Sequence, residues 1–288
     1  MTVNFENSIL VLLYNKEISA SKTLNSLLKC SAQYNHAALV IWNNGPHRLV
    51  FDDVAEFERI GYSVFLEETL NNESLSVIYN DFILRYKSEK YIILDDDSTL
   101  NKSYILSSSK IKQSEVGMPV ISSMGKITNP RVNRKLYDEK LVLNESCKIL
   151  TIGSGLVIGK NIASNLFEIY GDVFDKRFYF YGVDSTFCFR LFESDLIKYV
   201  SIIPGFEHRL SRMESESSEI VDFRRLERSY DFGLTLRYYK KTSSKIHGLL
   251  KLSISTLLKK VFRRKEKLIF KHVIKAFFSG RHYRSKKN

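Results

Sequence analysis

A chain of 288 residues with 44% hydrophobic and 26% charged residues has the length of one large α/β domain or two smaller ones, and its composition excludes a wholly disordered or fibrous protein. The formal charge of +12 sits at one end: residues 241–288 hold fifteen Lys and Arg against the single acid Glu266, while residues 1–240 hold 29 bases and 31 acids. No uncharged apolar run approaches the ~18 residues of a membrane span, and the opening Met1-Thr-Val-Asn-Phe-Glu-Asn7 lacks the basic and apolar stretches of a signal peptide, so a cytoplasmic protein is expected.

The first hundred residues alternate apolar runs with helix-period segments. Ser8 to Tyr14 reads as a buried strand, and Ile18, Leu24, Leu27 and Leu28 follow at helical spacing with Ser19 or Ser21 as N-cap. Ala37 to Trp42 is a second strand, stopped by Asn43-Asn44-Gly45-Pro46, and Tyr62 to Leu66 a third. Leu75, Ile78, Tyr79, Phe82, Ile83 and Tyr86 define an amphipathic helix, and Tyr91 to Leu94 a fourth strand ending in Asp95-Asp96-Asp97. This order implies a mostly parallel sheet covered on both faces, with ligands beyond the carboxyl ends of its strands. Tyr14-Asn15, Asn43 to Gly45 and Asp95 to Asp97 all fall on that edge.

Farther on, Val116 to Met124 and Lys148 to Ile158 read as strands, the latter interrupted by Gly153-Ser154-Gly155. Helices are expected over Ile162 to Tyr170, Thr186 to Glu193 and Val221 to Lys240. The tail carries one apolar stripe from Ile246 to Val261 and a second from Ile269 to Phe278, separated by Arg263-Arg-Lys265. Lysine-rich amphipathic helices of this kind suit the surface of an anionic membrane, where each base adds on the order of 1 kcal/mol. A helix pair docked on the body and an RNA-binding tail are the other readings, and no specific nucleic acid is expected because aromatic residues at base-stacking spacing are missing.

Several residue groups bear on chemistry. Three successive carboxylates at Asp95 to Asp97 call for a hard cation, Mg2+ or Mn2+, shared with phosphates, or else for full hydration as a turn in which Asp97 caps the next segment. The small residues of Gly153-Ser154-Gly155 allow close approach of a substrate. Asp184, beside Tyr179, Phe180 and Tyr181, has the setting of a desolvated base and equally the position of a helix N-cap. His208 reads as a metal ligand, a core histidine or a surface group. Cys30, Cys147 and Cys188 stand apart with neither zinc nor disulfide spacing, as small core residues do.

In order along the chain, Val11-Leu-Leu-Tyr14-Asn15, Ile41-Trp-Asn43-Asn44-Gly45, Ile93-Leu94-Asp95-Asp96-Asp97, Gly153-Ser-Gly155, the stretch Phe174-Asp175-Lys-Arg177 through Tyr181-Gly-Val-Asp184 to Arg190, and His208 resemble the family 2 glycosyltransferases of the GT-A fold, rhamnosyltransferase-like members included. The resemblance covers residues 8 to 240 and is most specific from Phe174 to Arg190. It implies a Rossmann-like α/β domain and inverting transfer of a hexose-type sugar from a nucleoside diphosphate sugar. By position it makes Asp95 and Asp97 the metal and nucleotide carboxylates, Asp97 the direct ligand, and Asp184 the base that deprotonates the acceptor. It puts Tyr14 and Asn43 at the base and ribose, with Asn15, Asn44 and Asp96 beside them, and His208 at the metal or diphosphate. Gly153, Ser154, Gly155, Tyr181, Gly182 and Val183 then face the acceptor or the sugar. Asn43 stands where the family usually has aspartate, Val183 where it has glutamate, and Pro46 where it has serine.

The expectation is a GT-A catalytic domain over residues 1–240 and a basic amphipathic helical tail over residues 241–288, on the cytoplasmic face of a bacterial inner membrane. A UDP- or dTDP-sugar donor, Mn2+ or Mg2+, and a lipid-linked saccharide acceptor of O-antigen, lipopolysaccharide or capsule synthesis complete it. A nucleotidyltransferase or dehydrogenase on the same parallel sheet is disfavoured because no Gly-rich phosphate loop follows the first strand. A non-catalytic membrane- or RNA-associated protein that kept the fold is the alternative.

Overall fold

The computed structural model describes residues 5–30, 33–49, 54–208, 217–262 and 267–285. Strands β1 (Phe5–Leu13) and β2 (Ala37–Asn43) are buried along almost their whole length, as continuous apolar runs are when helices cover both faces of a sheet. With β3 (Tyr62–Glu68) and β4 (Ser88–Asp95) they form a parallel set in the order β3-β2-β1-β4. Register pairs Leu13 with Asn43, Asn43 with Glu68 and Leu12 with Asp95, so the four carboxyl ends finish on one edge.

Alternation along β1 divides the core. Leu10 and Leu12 point to one face, where Ile78, Tyr79, Phe82 and Ile83 of α3 (Leu75–Arg85) pack. Ile9, Val11 and Leu13 point to the other, against Leu24 and Leu27 of α1 (Lys22–Lys29) and Phe57 of α2 (Ala55–Arg59). Ser21 is the cap of α1, accepting from Leu24 N at 3.2 Å.

The sheet then changes direction. The segment expected as one interrupted strand, Lys148 to Ile158, is two. Strand β10 (Ile149–Leu150) joins a small sheet with β8 (Arg131–Val132) and β9 (Lys135–Leu136), whereas β11 (Leu156–Gly159) enters the main sheet antiparallel to β4 and to β6 (Val116–Ser123). Strand β12 (Val200–His208) runs parallel to β6, and β7 (Lys126–Asn129) folds back on β6. The two-residue β5 (Ser98–Thr99), just past the aspartates, pairs antiparallel with the end of β12 and sets His208 opposite Ser98. Helix α4 (Lys102–Ser109) follows, capped by Asn101 rather than Asp97.

Helices α5 (Lys160–Tyr170), α6 (Val183–Glu193) and α7 (Ser218–Tyr239) cover the α3 face. Helix α6 begins at Val183, three residues ahead of the expected Thr186. Gly182 turns the chain at φ 83°, leaving Asp184 inside the first turn, where a carboxylate favours the helix dipole, and not at the cap.

The basic tail forms α8 (Thr242–Val261) and α9 (Phe270–Ser279). A Cβ on Gly233 of α7 would lie 2.5 Å from Val273 O, so α7 and α9 cross with backbones nearly touching, and Val273 and Ala276 are fully buried there. Helix α8 keeps its apolar stripe in the open, while the Arg263 to Lys265 break lies outside the described residues. Beyond α9 the chain returns to the body: Tyr283 OH donates to Glu227 Oε1 at 2.6 Å, His282 lies 3.4 Å from Glu227 Oε2 and stacks on Tyr179, and Arg284 donates to Asn72 O.

Candidate metal and active site

The carboxyl edge of the parallel strands collects most of the polar residues singled out in the sequence. At the end of β1, Tyr14 is 51% exposed and Asn15, at φ 50°, donates its amide to Gly45 O at 2.6 Å. Asn43 and Asn44 lie beneath this turn. Asn43 Nδ2 donates to His47 O (2.6 Å) and Glu68 Oε1 (3.0 Å), and its Oδ1 accepts from Gly45 N (3.0 Å). Asn44 Oδ1 accepts from Thr69 and from Glu73 N, and its Nδ2 donates to Glu73 O. Both amides therefore have protein partners and fix the shape of the turn, while Tyr14 stays open to solvent.

After β4 the three aspartates diverge. Asp96 Oδ1 pairs with Lys16 Nζ at 2.7 Å. The backbone of the turn is held from α1: Thr23 Oγ1 donates to Asp95 O and accepts from Ser98 N at 3.0 Å, and Ser21 Oγ donates to Asp96 O at 3.1 Å. Pinned in this way, Asp95 and Asp97 face His208, with Asp97 Oδ1 3.1 Å from His208 Nδ1 and Asp95 Oδ2 3.9 Å from His208 Nε2. Carboxylate and imidazole atoms of the three groups lie within 4.8 Å of one another, a grouping of the size a single cation needs.

The chemistry of this trio fits a divalent metal. Burial, then the neighbouring Asp97, Asp96 and Asp184, pushes the Asp95 carboxyl up to about 8. Burial also raises Asp97 and lowers His208, each opposed by the other, so the imidazole is neutral at pH 7 and offers a lone pair. Asp97 Oδ1 is buried without an aligned hydrogen bond although His208 Nδ1 is near, because Nδ1 meets Ser98 Oγ at 3.0 Å. Crowded carboxyls whose proton affinity is raised, with one imidazole in reach, make a donor set suited to a hard divalent cation. His208 is thus not a surface group: its buried ring faces both carboxylates.

Gly153, Ser154 and Gly155 join this trio to Asp184. Ser154, fully buried, accepts at Oγ from Asp95 N (3.1 Å) and meets Ser98 Oγ (2.9 Å). Gly155 N donates to Ile93 O at 2.7 Å, and the Gly153 amide lies near enough to Asp184 to favour its charged form. Asp184 Oδ1 also accepts from Ser185 N at 2.8 Å. Burial raises its proton affinity above the usual carboxylate range, and those amides oppose the shift. One short loop therefore sets the spacing between the metal carboxylates and the candidate base.

The rest of the Phe174 to Arg190 signature is scaffold. Asp175 and Arg190 are each 3% exposed in their side chains, 3.8 Å apart. Arg177 NH2 and Tyr239 OH reach Asp175 Oδ2 at 2.6 and 2.7 Å, and Arg190 NH1 bonds Asp172 Oδ1 at 2.5 Å. Val183 is buried in the core, whereas Tyr181 is half-buried with Arg228 of α7 stacked over its ring and bonded to its hydroxyl at 3.1 Å. Gly182 is required twice over: its φ is left-handed, and a Cβ would fall 2.2 Å from Asp231 Oδ1.

Three site residues escaped the sequence reading. Tyr79, on the buried face of α3, is close enough to Asp95 and Asp184 that their charges help to raise its hydroxyl far above the ordinary range, after burial. Lys16 brings a cation to Asp96, and Asp231 brings a fourth acid toward Asp184, held up to about 7 chiefly by burial. A hydroxyl on an otherwise apolar helical face was the available signal for Tyr79.

No protein-family model matches the sequence, and no curated protein matches it. Solved structures do match in fold. S. aureus TarS 1–349 in complex with UDP superimposes with a TM-score of 0.50 at 14% identity over 83% of this chain and 68% of that one. The mannosyltransferase PcManGT from Pyrobaculum calidifontis, in complex with GDP-Man and Mn2+, gives 0.51 at 10% identity over 84% and 67%. The matched region spans 41% of the longer TarS chain. This chain therefore has the Rossmann-like, GT-A-type fold of these two nucleotide-bound proteins.

Proposed function

We propose that the protein is an inverting glycosyltransferase that moves a hexose-type sugar from a nucleoside diphosphate sugar to a hydroxyl group. The observation that carries this reading is the placement of Asp95, Asp97 and His208 at the carboxyl edge, one loop away from Asp184. The solved structures of the same fold hold UDP in one case and GDP-Man with Mn2+ in the other, which agrees with a nucleotide at this edge.

In the proposed reaction, Tyr14 and Asn15 meet the nucleobase and ribose over the turn shaped by Asn43 and Asn44, and Asp95 to Asp97 lie under the diphosphate. Asp97, Asp95 and His208 would hold a divalent cation, whose positive charge would offset that of the leaving diphosphate. Asp184 accepts the proton of the acceptor hydroxyl as its oxygen forms the new bond to the anomeric carbon, whose bond to the phosphate oxygen breaks. Its raised proton affinity makes it a stronger base than an ordinary aspartate. Gly153, Ser154, Gly155, Tyr181 and Gly182 border the space for sugar and acceptor. We assign a UDP- or dTDP-sugar as donor and a lipid-linked saccharide as acceptor, in bacterial surface-polysaccharide synthesis of the O-antigen or capsule type. The enzyme acts peripherally at the cytoplasmic face of the inner membrane. A 1–240 catalytic unit is followed by a basic 241–288 tail, in which α9 is docked on α7 and α8 supports the lipid-linked acceptor by its charge and apolar stripe.

Calorimetry with UDP, dTDP, GDP and CDP, each with and without Mn2+, tests the reading. One nucleotide is expected to bind only with metal, and Asp97→Ala to abolish that binding. Failure of every nucleotide under both conditions would overturn the proposal in favour of a non-catalytic protein.

A further inference from the structure

Helix α8 has an unusual surface. Ile246, Leu250, Ile254, Leu257, Leu258 and Phe262 are 50 to 66% exposed. All but Phe262 lie within one third of the helical circumference, along a helix of 20 residues that is about 30 Å long. Helix α9 does not cover them: it is already docked on α7 through Val273 and Ala276. On the flank of α8 turned toward α7, a cavity of about 270 Å3 is lined by Phe232, Leu252 and Leu268 and rimmed by Lys251, Lys259 and Lys267. No acid occurs between Thr242 and Phe262, and among the described residues no helix is long and apolar enough to cross a membrane.

We infer that α8 is the membrane-docking element: its stripe inserts into the surface of an anionic phospholipid bilayer and lies parallel to it, with Lys251 at the edge of the stripe beside the lipid phosphates. This deepens the membrane location in the proposed function and rests on it for biological sense, but not for its physics. Aliphatic side chains in a row gain from leaving water, and cations without nearby acids gain from an anionic surface. A second copy of the chain is a poorer occupant, because it would bring the same acid-free cationic helix into contact. RNA would use the lysines and leave the stripe in water.

The test is co-sedimentation of the full chain with vesicles of phosphatidylcholine alone or with phosphatidylglycerol added, at near-physiological salt. Wild type is expected to bind the anionic vesicles at least tenfold better than the neutral ones. The pair Leu250→Ser and Leu257→Ser should lower that binding at least tenfold at every salt concentration. The change Lys251→Glu should lower it and flatten its salt dependence. All three positions have described side chains on the surface, and circular dichroism with the metal–nucleotide titration verifies that the variants remain folded. The inference falls if wild type ignores anionic vesicles, if the serine pair binds like wild type, or if the serine pair only converts a dimer to a monomer. It falls too if mixed-sequence RNA is retained while anionic vesicles are not. Loss of vesicle binding beside intact nucleotide binding would refute the docking element alone; loss of nucleotide binding in wild type would refute the transferase reading instead.

Discussion

Replacing Asp231 by Asn should make the protein more stable above neutral pH and leave it little changed in acid. The carboxyl lies against Gly182, accepts a hydrogen bond from Thr235 at 3.2 Å, and faces the charges of Asp184 and Glu227. Burial first, and those two acids after it, hold its proton on to about pH 7, against 3.8 for an ordinary aspartate. A carboxyl whose folded-state pKa is raised binds more protons folded than unfolded between those values. Its contribution is therefore fully present below pH 3.8 and is lost as pH climbs toward 7. Three pH units correspond to at most ~4 kcal/mol; because the side chain keeps some contact with solvent, about half of that is the working figure. Asn retains the shape and the Thr235 bond and carries no charge, so the variant should gain ~2 kcal/mol over wild type at pH 8, or on the order of 5 °C for a chain of this size. Thermal melts of both proteins from pH 5 to pH 8 read this directly. Melting curves that keep a constant separation across the range would refute the reasoning, because the gain would then owe nothing to ionisation.

Other consequences are equally concrete. Metal-free Asp95 keeps its proton to about pH 8 and must shed it to ligate, so Mn2+ affinity should climb about tenfold per pH unit from 6 toward 8; titration calorimetry at several pH values checks the slope, which Asp95→Asn should flatten. Asp175→Ala strips Arg177 and Tyr239 of their shared acceptor while Arg190 keeps Asp172, and should cost ~1–3 kcal/mol by denaturant melts. Gly233→Val drives a side chain into Val273 O; a loss of ~1–3 kcal/mol with faster amide exchange across α9 is expected.

Strands β1 to β4 were legible because each is a local apolar run, and their carboxyl edge follows once they are taken as parallel. The aspartate turn was legible as the stop of an apolar strand, and Asp184 as a carboxylate closing an aromatic run. The pairing of His208 with Asp97 was not: it depends on β5, two residues long, meeting a strand more than a hundred residues away. The Gly153 to Gly155 loop reads as loose substrate space, yet its Ser154 hydroxyl is fully buried and fastens Asp95. No local pattern announces such a bond. Helix α6 was misplaced by three residues because the left-handed Gly182 that starts it sits inside an aromatic run. In the tail, α8 and α9 share one composition, and only the close approach at Gly233 separates a docked helix from an open one.

The return of the chain after α9 bears on how this protein can be handled. Glu227 is 1% exposed and finds its partners in Tyr283 and His282, and Tyr179, five residues before Asp184, rests on the His282 ring. A version trimmed at residue 240 to remove its basic character would strand that acid, bare the seam along Gly233 and release the Tyr179 ring. An inactive trimmed protein would therefore say nothing about where the chemistry lies, whereas point changes on the outer face of α8 leave the clasp untouched.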